Sequence, residues 1–255
     1  MLYQHILRFD SLPSTNTEAA RQAVLGAPEG LCVVAREQTA GRGRRERVWV
    51  SPKDAGLYVS IVLRPTLAAR LWPLITLAAA LAVRDALLEA CELEADIKWP
   101  NDLLAGGRKL CGILAETTEN ARAVVLGAGI NLKRGSFPEE LNGTATSVEE
   151  QTGRAPDAER LLEAFMRSLA QRYENLHAEG GVEELLRDWQ RHSTYAHGRR
   201  VRVALAEATF EGTTRGLDPN GALRVETDTG ATKIVTAGDV TALREALNEP
   251  PRSGD

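Results

Sequence analysis

From Leu71 to Val83 the chain carries no charge, and the Ala- and Leu-rich pattern continues to Ala90. A helix apolar on nearly every face must be covered on nearly every side. The uncharged run is too short to span a bilayer and contains Pro73, so the expected cover is other secondary structure. Short apolar runs supply it: Tyr3–Phe9, Leu31–Ala35, Leu57–Leu63, Ala95–Trp99, Lys109–Glu116 and Ala123–Asn131 read as strands. Gly106–Gly107 reads as a tight turn between the strands ending at Trp99 and starting at Lys109. Helices are expected from the Ser14–Thr15–Asn16 cap to Leu25, over Asp157–Ala178 and over Val182–Arg191. The fold class is therefore mixed α/β (α+β), with a mixed sheet around one buried helix.

The pattern changes at His197–Gly198. Val201–Leu205, Thr209–Leu217, Ala222–Glu226 and Thr232–Val235 read as short strands joined by turns such as Asp218-Pro219-Asn220-Gly221. So small an all-β module builds little core alone, and it is expected to pack on the main domain. The expected division is residues 1–194, residues 195–247, and a disordered tail at 248–255.

A net charge of −4 over 255 residues argues against a dedicated nucleic-acid binder, so basic residues matter where they cluster. Cys32, Cys91 and Cys111 form no CxxC pair, and the four histidines show no zinc-ligand spacing. With no signal-peptide pattern near Met1, the expectation is a soluble cytoplasmic protein.

Four stretches carry polar groups suited to chemistry. Ser14-Thr15-Asn16 reads either as a helix cap or as donors and acceptors for a buried ligand. Gln38 precedes a loop with four arginines and two glycines, Gly41-Arg42-Gly43-Arg44-Arg45-Glu46-Arg47, closed by Trp49. Such a loop is either a solvated basic segment or a lid for phosphate, since guanidinium groups grip phosphoryl oxygens bidentately. In Lys98-Trp99-Pro100-Asn101-Asp102 the proline favours an extended Trp99, and the Asn-Asp pair follows either as an Asx-turn or as ligand groups. Lys109 opens an apolar strand containing Gly112, either as an edge charge or pointing into a cleft, and Gly127-Ala128-Gly129-Ile130-Asn131 follows. That last stretch imitates a dinucleotide fingerprint, but Leu132 holds the third glycine position, and a Rossmann reading is rejected.

In order and spacing, STN, Q-x-x-GRGRR-x-R-x-W-x-SP, KWPNDL, RKL-x-GIL-x-E and GAGIN together resemble the biotin protein ligase family, over residues 3–245. The tail phrase from Gly216 to Val225 is similar to that family's C-terminal module. The resemblance implies a catalytic domain related to class II aminoacyl-tRNA synthetases, plus a small SH3-like barrel. It implies ATP-dependent activation of biotin to biotinyl-5′-AMP, then transfer to a lysine of a biotin carboxyl carrier domain such as that of acetyl-CoA carboxylase. Biotin would be held by Ser14, Thr15, Asn16, Gln38, Gly41, Arg42, Gly43, Arg44, Lys109 and Gly112. ATP would be held by Arg44, Arg45, Trp49, Lys98, Asn101, Asp102 and Asn131. Arg42, Lys109 and Asp102 would be catalytic, with Mg²⁺ brought by the nucleotide phosphates and Asp102 a candidate ligand.

Glu46 departs from the resemblance, standing where the family usually has a third loop glycine; it would brace the loop through ion pairs or restrict its closure. Some relatives carry an N-terminal helix-turn-helix, and here the first motif begins at Ser14, so no DNA binding is expected. Edge strands could pair into a homodimer. A lipoate–protein ligase and a non-enzymatic biotin sensor remain the alternatives.

Overall fold

The computed structural model describes residues 5–118, 122–135 and 137–243. The expected strand start at Tyr3 and the expected disordered tail at 248–255 lie outside the described residues. Seven strands make one mixed sheet: β1 (Ile6–Phe9), β2 (Cys32–Ala35), β3 (Gly56–Leu63), β4 (Asp96–Lys98), β5 (Asp102–Ala105), β6 (Arg108–Thr118) and β7 (Ala123–Asn131). Their spatial order is β1-β2-β3-β7-β6-β5-β4. Only β1 and β2 run parallel, joined through helix α1 (Thr15–Val24), and every other neighbouring pair is antiparallel.

Side-chain alternation along β3 decides what covers each face. Leu57, Val59, Ile61 and Leu63 enter the large core with helix α2 (Pro73–Cys91), whereas Val62 joins Ala19 and Ala23 of α1 on the opposite face. Helix α2 begins with Pro73, where a missing N–H costs nothing, and ends at Glu92 in a left-handed conformation. The helical run 69–91 is longer than the uncharged stretch and would pass as a membrane span by length and composition. Here it is a core helix, packed on the sheet and covered by α4 (Ala158–Leu176) and α5 (Gly181–Arg191). A short helix α3 (Val148–Thr152), capped by the Ser147 side chain, was not expected.

One expected connection needs correction. Gly106–Gly107 turns between β5 and β6, not directly after the strand ending near Trp99. Asp102-Leu103-Leu104-Ala105 forms its own strand, a short run hidden in sequence behind the turn residues Pro100 and Asn101. Asp102 thus stands on a strand, directly opposite Lys98 on β4 and Gly112 on β6.

Five further strands form a separate antiparallel SH3-like sheet: β8 (His197–Ala204), β9 (Thr209–Leu217), β10 (Leu223–Glu226), β11 (Thr232–Val235) and β12 (Asp239–Ala242), in order β11-β10-β9-β8-β12. β12 is too short and polar to be read as a strand from sequence, and it forms by pairing with β8. As expected, this module docks on the main sheet's layer. The Trp99 indole donates to Gly221 O at 3.0 Å, and Gly221, at φ +84°, sits against Leu74 and Leu77. A side chain there would meet both leucines at 2.9–3.0 Å, so glycine serves the turn and the contact together.

Candidate functional site

The register lays a floor of small residues on the α1 face of the sheet. Gly112 lies opposite Gly129, and Gly127 lies opposite Leu114 and Ser60. Bare backbone here makes room above it. A Cβ on Gly129 would come within 2.4 Å of Trp49 Nε1, and one on Gly127 within 2.1 Å of Asn16 Oδ1. Above this floor lies a cleft of about 770 Å³. That volume suits an elongated small molecule.

One wall is neutral and buried. Ser14, Thr15 and Asn16 start α1, and Ser14 makes no side-chain capping bond, so the simple cap reading does not describe it. Gln38 Oε1 accepts from the Thr15 backbone N–H at 2.9 Å and its hydroxyl at 3.1 Å. Gln38 Nε2 donates to Ser51 Oγ at 2.8 Å, which donates to Trp49 O at 3.1 Å. Asn16 Nδ2 donates to Glu116 Oε2 at 2.8 Å and Leu114 O at 3.2 Å.

The other wall is cationic and more exposed. The arginine loop is neither free nor extended: it makes a tight turn at Arg44–Glu46, with Arg45 and Glu46 both at positive φ. Arg42 pairs with Glu116 at 2.6 Å. Arg44 donates to Asn101 Oδ1 at 3.2 Å; burial pushes its guanidinium pKa down, with Asp239 opposing. Glu46 makes no ion pair among the described residues, so it does not brace the loop as one expectation had it. Gly41 lies outside the cleft lining, tucked so close that a Cβ would sit 2.3 Å from Trp49 O. Arg45 is also outside the lining, reaching Ala204 O and Asp239 on the SH3-like module, and Arg47 pairs with the same Asp239.

At the far end Lys109 Nζ lies 2.7 Å from Asp102 Oδ1 and 5.4 Å from the centre of the Trp49 ring. Asp102 Oδ1 makes this ion pair without a well-aligned hydrogen bond, and the buried Trp49 indole N–H has no partner among the described residues. Lys98 is opposite Asp102, and burial pushes its ammonium pKa down while Asp102 pulls it back up. Asn101 donates to Ile113 O at 2.8 Å, bridging to β6 instead of closing an Asx-turn on itself. Asn131 ties Lys109 O and Thr146 O together at 3.4 and 3.0 Å.

All the residues expected at the site line the cleft except Gly41 and Arg45. Sequence reading missed Gly127 and Gly129 as floor, Glu116 and Asp239 as partners of the arginines, and Tyr195 and Arg199 at the mouth. The motif ending GIL-x-E held a signal for Glu116. Nothing local pointed to Asp239, which reaches the loop from the other module.

Comparison with known proteins fits this geometry. Residues 8–131 match the biotin/lipoate A/B protein ligase family, and residues 196–241 match the biotin protein ligase C-terminal domain. The bifunctional ligase/repressor BirA of Bacillus subtilis is 37% identical over 239 residues, covering 92% of this chain and 73% of its own. The biotin–[acetyl-CoA-carboxylase] ligase of Mycobacterium tuberculosis is 37% identical over 237 residues, covering 91% and 86%. The chain belongs to the biotin protein ligase family. Family members share its three-dimensional form: the biotin protein ligase of Aquifex aeolicus in complex with biotin and ATP superposes with a TM-score of 0.83. That pair is 28% identical, over 95% of this chain and 100% of the other.

Proposed function

We infer that this chain is an ATP-dependent biotin protein ligase. Biotin's carboxylate oxygen attacks the α-phosphorus of ATP, the bond to pyrophosphate breaks, and biotinyl-5′-AMP forms. A carrier-domain lysine nitrogen then bonds to the biotinyl carbon, AMP leaves, and a proton is lost from the amine. One observation carries the reading: a neutral hydrogen-bonding wall and a cationic wall line one cleft over a glycine floor and meet at Glu116. The first suits a compact polar ring on an apolar body. The second suits two anions that must approach despite their repulsion.

The residue roles follow from the pairs already in place. Arg42 and Lys109 are each held by a carboxylate, at 2.6 and 2.7 Å. Entry of biotin carboxylate and triphosphate would exchange those partners for substrate oxygens, and the cations would then stabilise charge growing on the α-phosphate. The Trp49 indole N–H, which has no acceptor among the described residues, would gain one from the ligand. Asn101, Asn131 and Lys98 belong to the nucleotide side in this reading.

Mg²⁺ would neutralise the leaving pyrophosphate when bound. Among the described residues no cluster of three His, Cys, Asp or Glu side chains could hold a metal ion. A metal carried in on the nucleotide fits, with Asp102, whose Oδ1 now holds Lys109 at 2.7 Å, as the carboxylate that would face it. Once Lys109 turns to substrate, Asp102 is also the candidate for orienting the incoming lysine and taking its proton. Such an amine is almost wholly protonated at neutral pH, with an ordinary pKa of about 10.4.

The same reading takes residues 1–194 as the biotin- and ATP-binding catalytic domain and 195–247 as the SH3-like C-terminal domain, whose Tyr195, Arg199 and Asp239 join the cleft lining. It also takes the acceptor to be a biotin carboxyl carrier domain and the compartment to be the cytoplasm, supported by three buried free cysteines. No DNA binding is proposed, and β1 and β4, at the sheet edges, are the strands that could pair in a homodimer. The test mixes the protein with Mg²⁺, α-labelled ATP and biotin or lipoate, then adds a biotin-acceptor domain. Biotin-dependent biotinyl-AMP that passes to one carrier lysine is expected. Adenylate with lipoate alone would move the substrate to the rival acid, and biotin binding without adenylate would make this a sensor.

A further inference from the structure

Ser60 sits in the middle of β3, fully buried, and does not line the cleft. Its register partner is Gly127, whose missing Cβ leaves room for the Asn16 side chain, and its hydroxyl reaches the first turn of α1. Ser60 Oγ lies 2.6 Å from Asn16 Oδ1 and 2.7 Å from Thr15 Oγ1. Thr15 Oγ1 in turn lies 3.1 Å from Gln38 Oε1.

These contacts can be counted in protons. Asn16 Nδ2 faces two acceptors, Glu116 and Leu114 O, so its amide cannot be turned round and Oδ1 must face Ser60. Gln38 is fixed likewise, because Ser51 spends its proton on Trp49 O and needs Gln38 Nε2 as a donor. Three short oxygen–oxygen contacts therefore share two hydroxyl protons. Asn16 Oδ1 carries no proton, so Ser60's goes there. Thr15's proton then goes to Ser60 Oγ, the nearer acceptor, or to Gln38 Oε1, which already accepts the Thr15 N–H at 2.9 Å. Either way the Thr15 hydroxyl turns lone pairs, not its proton, toward the cleft.

We propose that Ser60 is a positioning residue for substrate specificity: through Asn16 and Thr15 it keeps this wall an acceptor, selecting a ligand ring that donates N–H. This rests on the biotin reading, since the ureido ring carries two N–H donors and the dithiolane of lipoate carries none. Without Ser60 the Asn16 carbonyl loses its donor and Thr15 loses its nearest acceptor, so both side chains can reorient.

The experiment compares wild type, Ser60→Ala and Ser60→Cys in adenylate formation, using biotin and a biotin methylated on one ureido nitrogen. For Ser60→Ala the KM for biotin should rise about tenfold, the scale of one lost buried hydrogen bond. KM for ATP and kcat should stay within twofold, and the preference for biotin over the methylated analogue should fall. Ser60→Cys, with a weaker donor of similar size, should fall between. Loss of both ligands in equal proportion, or a KM for biotin within twofold of wild type, would reduce Ser60 to packing. If Ser60→Ala fails to fold, Ser60→Cys decides by the same two readouts. A wild-type protein that forms no biotinyl-AMP would overturn the functional reading instead, and this inference with it.

Discussion

The two walls of the cleft are built on different physical terms. At the start of α1, Thr15 and Asn16 are buried and neutral, and their hydrogen bonds close within the protein. Next to it, Arg42 is half-exposed at 47% and is paired with Glu116, exposed at 34%, through the same Oε2 that accepts from Asn16, so the two walls meet at this carboxylate. Exposed ion pairs contribute little, about 0–1 kcal/mol, so exchanging one for a phosphate is cheap. Breaking a buried neutral network costs more, because each orphaned group loses its solvation as well. The first wall is thus a fixed template, and the second is a set of cations parked on carboxylates until substrate arrives.

The largest effect expected from this contrast is on the cationic side. Lys109→Ala and Arg42→Ala should each slow biotinyl-AMP formation about 10²–10³-fold, if each meets charge that develops in the transition state. A rapid-quench assay of adenylate would show it; a loss under threefold would return either residue to a structural role. On the fixed side, Gly127→Ala puts a methyl where Asn16 Oδ1 stands, 2.1 Å away. Overpacking of about 1–3 kcal/mol should appear as a roughly 5–150-fold rise in KM for biotin, with KM for ATP little changed. Steady-state kinetics with each substrate varied separately would check this, and equal rises in both KM values would blur the two walls into one.

The loop gives a smaller effect. Arg44→Gly removes the bond to Asn101 and should let biotinyl-AMP escape about fivefold faster, as a water-excluding lid loosens. Chromatography of free adenylate and labelling of bystander proteins would reveal it; release equal to wild type would end the lid idea. The smallest effect is ionic. Raising salt from 0.05 to about 0.5 M should lift KM for ATP about threefold and leave KM for biotin within twofold, because screening reaches exposed charges first. A matching rise for biotin would contradict the neutral template.

Much of this was legible in the chain, for identifiable reasons. Long motifs such as GRGRRERVW and KWPND place their side chains within one loop or one turn, so sequence order already approximates spatial order. The buried helix was legible from an uncharged run, and the β module from its turns. What escaped depends on register between distant strands. Ser60 matters because it lies across from Gly127, and Asp239 because β12 pairs with β8 and faces the loop from another module. The Gly127–Gly129 stretch reads from sequence as a false dinucleotide fingerprint and as part of the GAGIN motif; only its pairing with β6 and β3 shows it as floor. The β5 strand was missed because four residues behind a proline turn show too little period to be read.

The most direct test of the two-wall account is a crystal structure with a non-hydrolysable biotinyl-adenylate analogue. The account predicts that the Ser60–Asn16 and Thr15–Gln38 contacts keep their distances, while Arg42 leaves Glu116 and Lys109 leaves Asp102 for the ligand. A complex in which the start of α1 is rebuilt around the ligand, with Arg42 and Lys109 still on their carboxylates, would contradict it.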